Sequence, residues 1–269
     1  MVRAVFFDLD DTLVFTSDHD TRAYEAVAAL FGAAGDDNDA ILQGSSVNTA
    51  DLVAEYKALL KATPWDTAYP NETCDVFSHR AGLWAQAITK QQKKDGCCSR
   101  LDDTAIFEMG KACQTCFDKT RMEEFPFVEG AVDMVRKLQQ ANLRTVVITN
   151  GHHVVQHEKL KACDATSVFQ ASDIIVGGDE VVAGRKEKPD KGIFEKACTI
   201  AGVDPSDAIH VGDSLSADVQ GAINSNLKGS VWVNRHGKAR KDGDPEPTAT
   251  VANVTELAGV LASVFDVKL

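Results

Sequence analysis

Short apolar runs separated by helical stretches constrain this chain more than any other feature. Four runs rich in β-branched residues, Arg144 to Thr149, Asp173 to Val176, Ala208 to Val211 and Ser230 to Val233, alternate with helical periodicity near 129–141, 152–162, 189–201 and 216–225. Strands apolar on both alternating positions are covered on both faces, and strands that alternate with helices pair in parallel. Ala4 to Phe7 has the same character and is expected to join that sheet. The fold class is therefore α/β, a parallel sheet wrapped by helices.

Residues 16–125 carry no such strand signal. Apolar positions recur there at helical spacing: Tyr24, Val27, Ala28 and Phe31; Leu52, Tyr56 and Leu59; Val76, Leu83, Trp84, Ala87 and Ile88. Turn-rich stretches, Gly32 to Asn38 and Pro64 to Asn71, separate these runs. The expected organisation is a core of 1–15 and 126–269 with a helical insertion at 16–125. The polar segment His236 to Thr248, with two prolines, reads as a surface loop. A length of 269 residues accommodates two modest domains.

Charge and composition narrow the partners. A net charge of −12 argues against non-specific nucleic-acid binding, which needs a basic footprint. A small anionic ligand stays open, because the charge of the site decides that. No apolar run approaches the roughly 18 residues of a membrane helix, so no membrane contact is expected. Met1 to Asp8 is too short and too acidic for a secretory signal. Seven cysteines, an odd number spread along the chain, read as reduced thiols of a cytoplasmic protein. On that reading the sequons Asn71-Glu72-Thr73 and Asn253-Val254-Thr255 are chance matches. No feature of the sequence sets an oligomeric state.

Four polar clusters fall where strands end or helices open, the edge at which parallel sheets bind ligands. They are Asp8-Leu9-Asp10-Asp11-Thr12, Thr149-Asn150-Gly151, Lys188-Pro189, and Gly212-Asp213-Ser214 with Asp218 beyond it. Alternation along an extended strand would aim Asp8 and Asp10 to one side. Three carboxylates (Asp8, Asp10, Asp213) converging in one cleft need a cation, and hard oxygen ligands suit Mg²⁺. One carboxylate can attack phosphorus and a second can carry the proton. Thr149, Lys188 and backbone amides can neutralise the phosphoryl oxygens. Each cluster also has a simpler reading: loop aspartates, a turn at Asn150-Gly151, a lysine ahead of a helix-opening proline, or Asp218 favoured by a helix dipole.

Taken in order, Phe7-Asp8-Leu9-Asp10-Asp11-Thr12-Leu13, Ile148-Thr149-Asn150-Gly151, Lys188-Pro189 and Val211-Gly212-Asp213-Ser214 with Asp218 resemble the four motifs of the haloacid dehalogenase superfamily. The resemblance covers about the first 15 residues and everything after 126. It implies a Rossmann-like sheet, Mg²⁺, an aspartyl-phosphate intermediate, and a helical cap at 16–125 that closes over the site and selects substrate. It implies Asp8 as nucleophile and metal ligand, and Asp10 as acid and base with its carbonyl on the metal. Asp213 would be the third protein ligand, with Asp218 one shell further out. Thr149, Asn150 and Lys188, with the amides of Leu9, Asp10 and Gly151, would hold the phosphoryl group. The presence of Asp10 resembles the phosphatases of the superfamily rather than its dehalogenases.

Longer phrases, Val2 to Asp10, Thr149 to Gly151, Val176 to Gly178 and Val231 to Asn234, are similar to the N-acylneuraminate-9-phosphatase group. That implies a small anionic phosphorylated substrate, N-acylneuraminate 9-phosphate first, with phosphoglycolate or another sugar or nucleotide phosphate as the alternative. Asp11 stands where that group often has asparagine, and 179–187 is longer. A 2-haloacid dehalogenase or a non-catalytic binding protein are the readings from other classes. In 16–125, Arg22 and Arg80 are candidates for a substrate carboxylate, against the simpler reading of solvated helix arginines. Cys113 and Cys116 read as plain buried or half-exposed thiols, since no second pair completes a zinc site. His152 and His153 read as a solvated pair opening a helix, and the run Asp36 to Asp39 as an exposed loop.

Overall fold

A computed structural model describes residues 1–32, 47–63, 75–94 and 102–269. It divides into two compact units, Met1–Ser17 with Phe125–Leu269, and Asp18–Glu124. The turn-rich stretches Gly32 to Asn38 (beyond Gly32) and Pro64 to Asn71, the acidic run, the first sequon, and Cys74, Cys97 and Cys98 lie outside the described residues.

The first unit is an α/β layer structure. Its strands are β1 (Ala4–Phe7), β2 (Arg144–Thr149), β3 (Ile174–Val176), β4 (Ala208–Gly212), β5 (Gly229–Val233) and β6 (Ala249–Val251). They pair in parallel throughout, in the order β3-β2-β1-β4-β5-β6. Burial follows the period of two. Val5 and Phe7 face one core with Val147, Ile209, Val211, Val231 and Val233; Ala4 and Phe6 face another with Val146 and Ile148. The first core is closed by α5 (Ala131–Gln140) and α10 (Leu257–Val264), through Ala131, Met134, Val135, Leu138, Leu257 and Leu261. The second is closed by Ile193, Phe194 and Ala197 of α8 (Lys191–Ala201). Three shorter pieces complete the unit: α6 (His153–Ala162), α7 (Gly177–Val182) and α9 (Gln220–Asn224), the last preceded by a π turn at Leu215–Val219.

Strand positions follow the sequence reading, except that Asp173 closes a 3₁₀ turn and β3 starts one residue later. Three elements of this unit are not read from the sequence: α7, a six-residue helix opening at Gly177-Gly178, β6 and α10. β6 is a three-residue edge strand with an exposed threonine, too short to show a buried run, and α10 lies in the apolar end of the chain. The segment 234–248 carries no strand or helix and is largely exposed.

The second unit is helical among its described residues: most of α1 (Thr16–Gly32), then α2 (Thr49–Ala62), α3 (Val76–Lys94) and α4 (Asp103–Met122). Val27, Leu52, Tyr56, Leu83, Trp84, Ala87 and Ile88 form its core, and Tyr56 stacks on Trp84 with centroids 3.8 Å apart. The sequence reading did not single out α4. Its buried stripe, Ile106, Met109, Gly110, Cys113, Gln114 and Phe117, mixes small and polar residues into the helical period. Asp102 caps it by accepting from the Ala105 amide at 2.7 Å. No helix of the described residues is long and apolar enough to cross a membrane.

Gly178 governs how α7 seats against the turn that follows β2. A Cβ there would lie 2.3 Å from the His153 amide nitrogen and 2.5 Å from the Gly151 carbonyl oxygen, and neither backbone atom can turn aside. Gly178→Ala is expected to destabilise the protein by about 1–3 kcal/mol, the usual cost of overpacking. Denaturant unfolding of the two proteins checks it.

Candidate active site

Parallel register brings the polar clusters to one edge. Phe7 is paired with Val147 on one side and Val211 on the other, so Asp8, Thr149 and Asp213 all leave the sheet at its carboxyl end. The Asp8 amide donates to the Val211 carbonyl at 2.9 Å, continuing the ladder one residue past β1. Order reverses on either side of β1, the place where open parallel sheets form their crevice.

The centre of the site is Lys188, whose side chain is 1% exposed. Its ammonium donates to Asp8 Oδ1 at 2.6 Å, to the Ile148 carbonyl at 2.6 Å and to Asp218 Oδ1 at 2.7 Å. Burial alone would lower the Lys188 pKa, but the Asp218 and Asp8 carboxylates outweigh it and push it up. Burial likewise works against charge on Asp218, yet Lys188 and then His210 hold its carboxyl well below the usual range. His210, fully buried on β4, reaches Asp218 Oδ1 with Nε2 at 2.8 Å. Burial keeps this imidazole below its ordinary pKa, so the neutral ring is the donor. The Ser214 amide donates to Asp218 Oδ2 at 2.9 Å. Gly212 makes room: a Cβ there would fall 2.3 Å from the Asp218 carboxyl carbon.

Asp8, Asp213 and Asp218 each place a carboxylate oxygen within 4.8 Å of the others. Burial pushes the Asp8 carboxyl up, against the pull of Lys188 and with help from Asp218. Asp213 is pushed up to about 7, by burial first and then by Asp218 and Asp11. The Trp232 indole holds the Asp213 carbonyl at 2.8 Å. Both Asp218 oxygens accept donors already and Asp8 meets Lys188 through Oδ1, so the acceptor capacity left at this edge lies on Asp8 Oδ2 and on Asp213. Hard oxygen atoms carrying uncompensated charge fit a hard divalent cation.

The carboxylate of Asp10 is not in that cluster. Strand geometry ends at Phe7, and the Leu9 carbonyl accepts from the Leu13 and Val14 amides at 3.0 Å, so the chain turns and alternation does not extend to Asp10. Its side chain points instead to Lys159, Gln156 and Thr16. Asn150 uses its whole amide on the Lys188 backbone, donating to the carbonyl at 2.7 Å and accepting from the amide at 3.0 Å. The Gly151 amide donates to Glu187 Oε2 at 2.9 Å. Thr149 Oγ1 is buried with no hydrogen-bond partner among the described residues.

Sequence reasoning missed His210, Glu187, Gln156 and Lys159. His210 sits inside the apolar strand run Ala208 to Val211, where nothing in the sequence marks its partner Asp218. Gln156 and Lys159 lie on the buried side of α6, where an inward stripe reading Gln-Lys-Leu at 156, 159 and 160 was the available signal.

Other candidates resolve differently. Arg22 donates to the carbonyls of Thr120 and Glu123, closing the end of α4, so it serves the helix rather than a ligand. Arg80 lies beside Tyr24, Tyr56 and Asp118. Cys113, Cys116, Cys163 and Cys198 are free thiols, and burial raises Cys113 to about 12, which suits a packing role. His152 is 2% exposed and stacks on His153 at 4.5 Å, so the solvated reading fails for it: the helix start folds inward behind Gly151.

Sheet order and site together describe an α/β protein with an acidic cluster at the carboxyl edge of a parallel sheet. The chain belongs to the haloacid dehalogenase-like hydrolase family, whose sequence pattern matches residues 2–226. It is 32% identical to human N-acylneuraminate-9-phosphatase over 98% of this chain and 95% of that protein. It is 28% identical to the glyceraldehyde 3-phosphate phosphatase of Pyrococcus abyssi, over 88% of this chain and 83% of that one. Among solved structures, the magnesium-bound YfnB of Bacillus subtilis, described as a HAD hydrolase, superimposes with a TM-score of 0.63 over 97% of this chain and 98% of its own, at 21% identity. The chain is a phosphoric monoester hydrolase.

Lys188→Met would leave two buried carboxylates without their cation. It is expected to cost about 3–5 kcal/mol at neutral pH. The depressed Asp218 carboxyl contributes stability above its ordinary 3.8 and loses it as pH falls below that value. The gap between wild type and variant should therefore narrow in acid, as read by denaturant unfolding at several pH values.

Proposed function

We propose that the protein hydrolyses a small phosphorylated metabolite through an aspartyl-phosphate on Asp8, with N-acylneuraminate 9-phosphate as its substrate. The observation that carries the chemistry is the buried Lys188, which joins Asp8 to Asp218 beside the charge-rich Asp213. What supports the substrate is similarity along nearly the whole chain to N-acylneuraminate-9-phosphatase, at 32% identity. Relatives named for glyceraldehyde 3-phosphate and phosphoserine keep other small phosphate esters as the second reading.

The roles follow from the donors on each group. A carboxylate oxygen of Asp8 attacks phosphorus as the ester oxygen leaves with its electron pair. Asp10, entering the cycle as the neutral acid, protonates that oxygen; the carboxylate so formed then removes a proton from the water that attacks the aspartyl-phosphate and releases inorganic phosphate, which returns Asp10 to the acid form. Lys188 and the unpartnered Thr149 hydroxyl hold the equatorial oxygens. Asp218 and His210 keep the Lys188 ammonium aimed at Asp8. Leu9, Asp10 and Gly151 are the candidate amide donors; Gly151 must first release Glu187, and Asn150 acts by fixing the Lys188 backbone. Mg²⁺ would be held by Asp8, Asp213 and the Asp10 carbonyl, where it supplies charge neutralisation for the incoming phosphate. Residues Asp18–Glu124 serve as the cap that selects substrate.

The test is phosphate release from a panel of phosphomonoesters, N-acylneuraminate 9-phosphate included. Asp8→Asn should lose about four orders of magnitude or more in kcat while still folding cooperatively. EDTA should silence the wild type and Mg²⁺ restore it, whereas Asp213→Asn should not recover. A preference for another ester would keep the chemistry and replace the substrate; full activity of Asp8→Asn would refute the mechanism.

A further inference from the structure

We propose that Lys159, with Gln156 beside it, is the positioning element that fixes the Asp10 carboxylate for proton transfer; this rests on the reading of Asp10 as the acid and base. α6 starts directly behind Thr149-Asn150-Gly151 and turns Gln156 and Lys159, one helical turn apart, toward Asp10. Lys159 Nζ lies 2.7 Å from Asp10 Oδ1 and 2.9 Å from Oδ2, with its side chain only 5% exposed. Gln156 Nε2 donates to Asp10 Oδ2 at 3.1 Å and to the Asn150 carbonyl at 2.6 Å. One amide therefore ties Asp10 to the turn that carries Thr149. Thr16 Oγ1 completes the set on Oδ1.

Proton transfer needs the carboxylate within hydrogen-bond reach of one oxygen of the ester. An aspartate on a loop samples several staggered side-chain wells. An ammonium that touches both oxygens selects one well and sets the plane of the carboxylate. The strand does not do this, since regular β geometry stops at Phe7. Orientation of Asp10 is therefore supplied from α6. A lysine is a demanding residue to bury, and a role confined to packing α6 would be met by an apolar side chain of similar length. Lys159 touches neither substrate nor phosphorus on this reading and acts only through Asp10.

The test separates leaving groups. An alkyl ester needs its oxygen protonated as it departs; p-nitrophenyl phosphate does not, because nitrophenolate is stable as the anion. The quantity to compare is kcat/KM, which ends at departure of the leaving group. Lys159→Met is expected to lower kcat/KM roughly ten- to hundred-fold for an alkyl phosphomonoester, and less than about three-fold for p-nitrophenyl phosphate. Lys159→Arg, which keeps the charge and can span both oxygens, should restore most of the ratio between the two esters. Gln156→Leu should shift that ratio in the same direction by less, and it decides the matter if Lys159→Met does not fold. Equal losses on both esters, or no loss, would overturn the proposal and leave Lys159 a structural ion pair. Asp10→Asn runs beside them: if it leaves the ratio of the esters unchanged, the reading of Asp10 itself fails, whatever Lys159 does.

Discussion

A single buried ammonium organises the carboxyl edge of this sheet. Lys188 is withdrawn from water almost completely, and an unpaired charge in that position would cost many kcal/mol. The fold supplies three acceptors from three places: Asp8 just past β1, the Ile148 carbonyl on β2, and Asp218 beyond β4. Strands β2, β1 and β4 are neighbours in the sheet, so parallel register alone brings these acceptors within reach of one side chain. A slip by one residue at β1 would turn Phe7 into the site and Asp8 into the core. The apolar alternation of Ala4 to Phe7 is thus also what positions the site.

The same network leaves charge out of balance. Asp218 is answered by Lys188, His210 and the Ser214 amide, whereas burial, and then Asp218 and Asp11, push Asp213 up to about 7. Two buried carboxylates share one lysine, which holds both but leaves one negative charge over. A further carboxylate at the same edge adds to that excess, and the energetic demand is for a cation or a protonated acid. Asp218, conspicuous in the sequence as one more acidic residue, thereby acts as the anchor of the lysine.

Legibility in the sequence followed the length of the physical signal. Buried parallel strands announce themselves because both alternating faces are apolar, and β1, β2, β4 and β5 were readable on that ground. The helical unit was readable where large residues such as Trp84 and Tyr56 recur at helical spacing, and less so in α4, whose stripe includes Gly110 and Gln114. At the site, residue types at strand ends identified Asp8, Thr149, Lys188 and Asp213 as a group, but not the partners of each. Partners depend on side-chain direction after the strand stops, which a period of two no longer describes. Asp10 shows it: the chain turns at Leu9, and the carboxylate faces α6 instead of Asp8. Asp11 shows the converse. Its φ of 53° lies in the left-handed region, which asparagine and aspartate both tolerate, so the departure from asparagine there leaves the turn intact. Its carboxylate then accepts from the Ser17 amide at 2.9 Å and hydroxyl at 2.7 Å.

Asp8 and Asp10 stand two residues apart and could interfere, since two carboxylates on one side of a strand would titrate as a pair. The turn at Leu9 sends them to separate surroundings and gives each its own lysine from a different part of the fold, while the Asp10 charge still helps to push Asp8 up. Lys188 comes from the segment before α8 and Lys159 from the middle of α6, and each contacts its carboxylate at 2.6–2.7 Å at the shortest. Asp8 is thereby held among further carboxylates in a dry position, and Asp10 in a half-exposed one with the neutral donors Gln156 and Thr16 beside its lysine. Two residues of one type acquire different chemistry because the backbone between them bends. The short DxD phrase therefore marks only the residue types; the α6 and Lys188 segments, encoded more than a hundred residues later, assign their separate work.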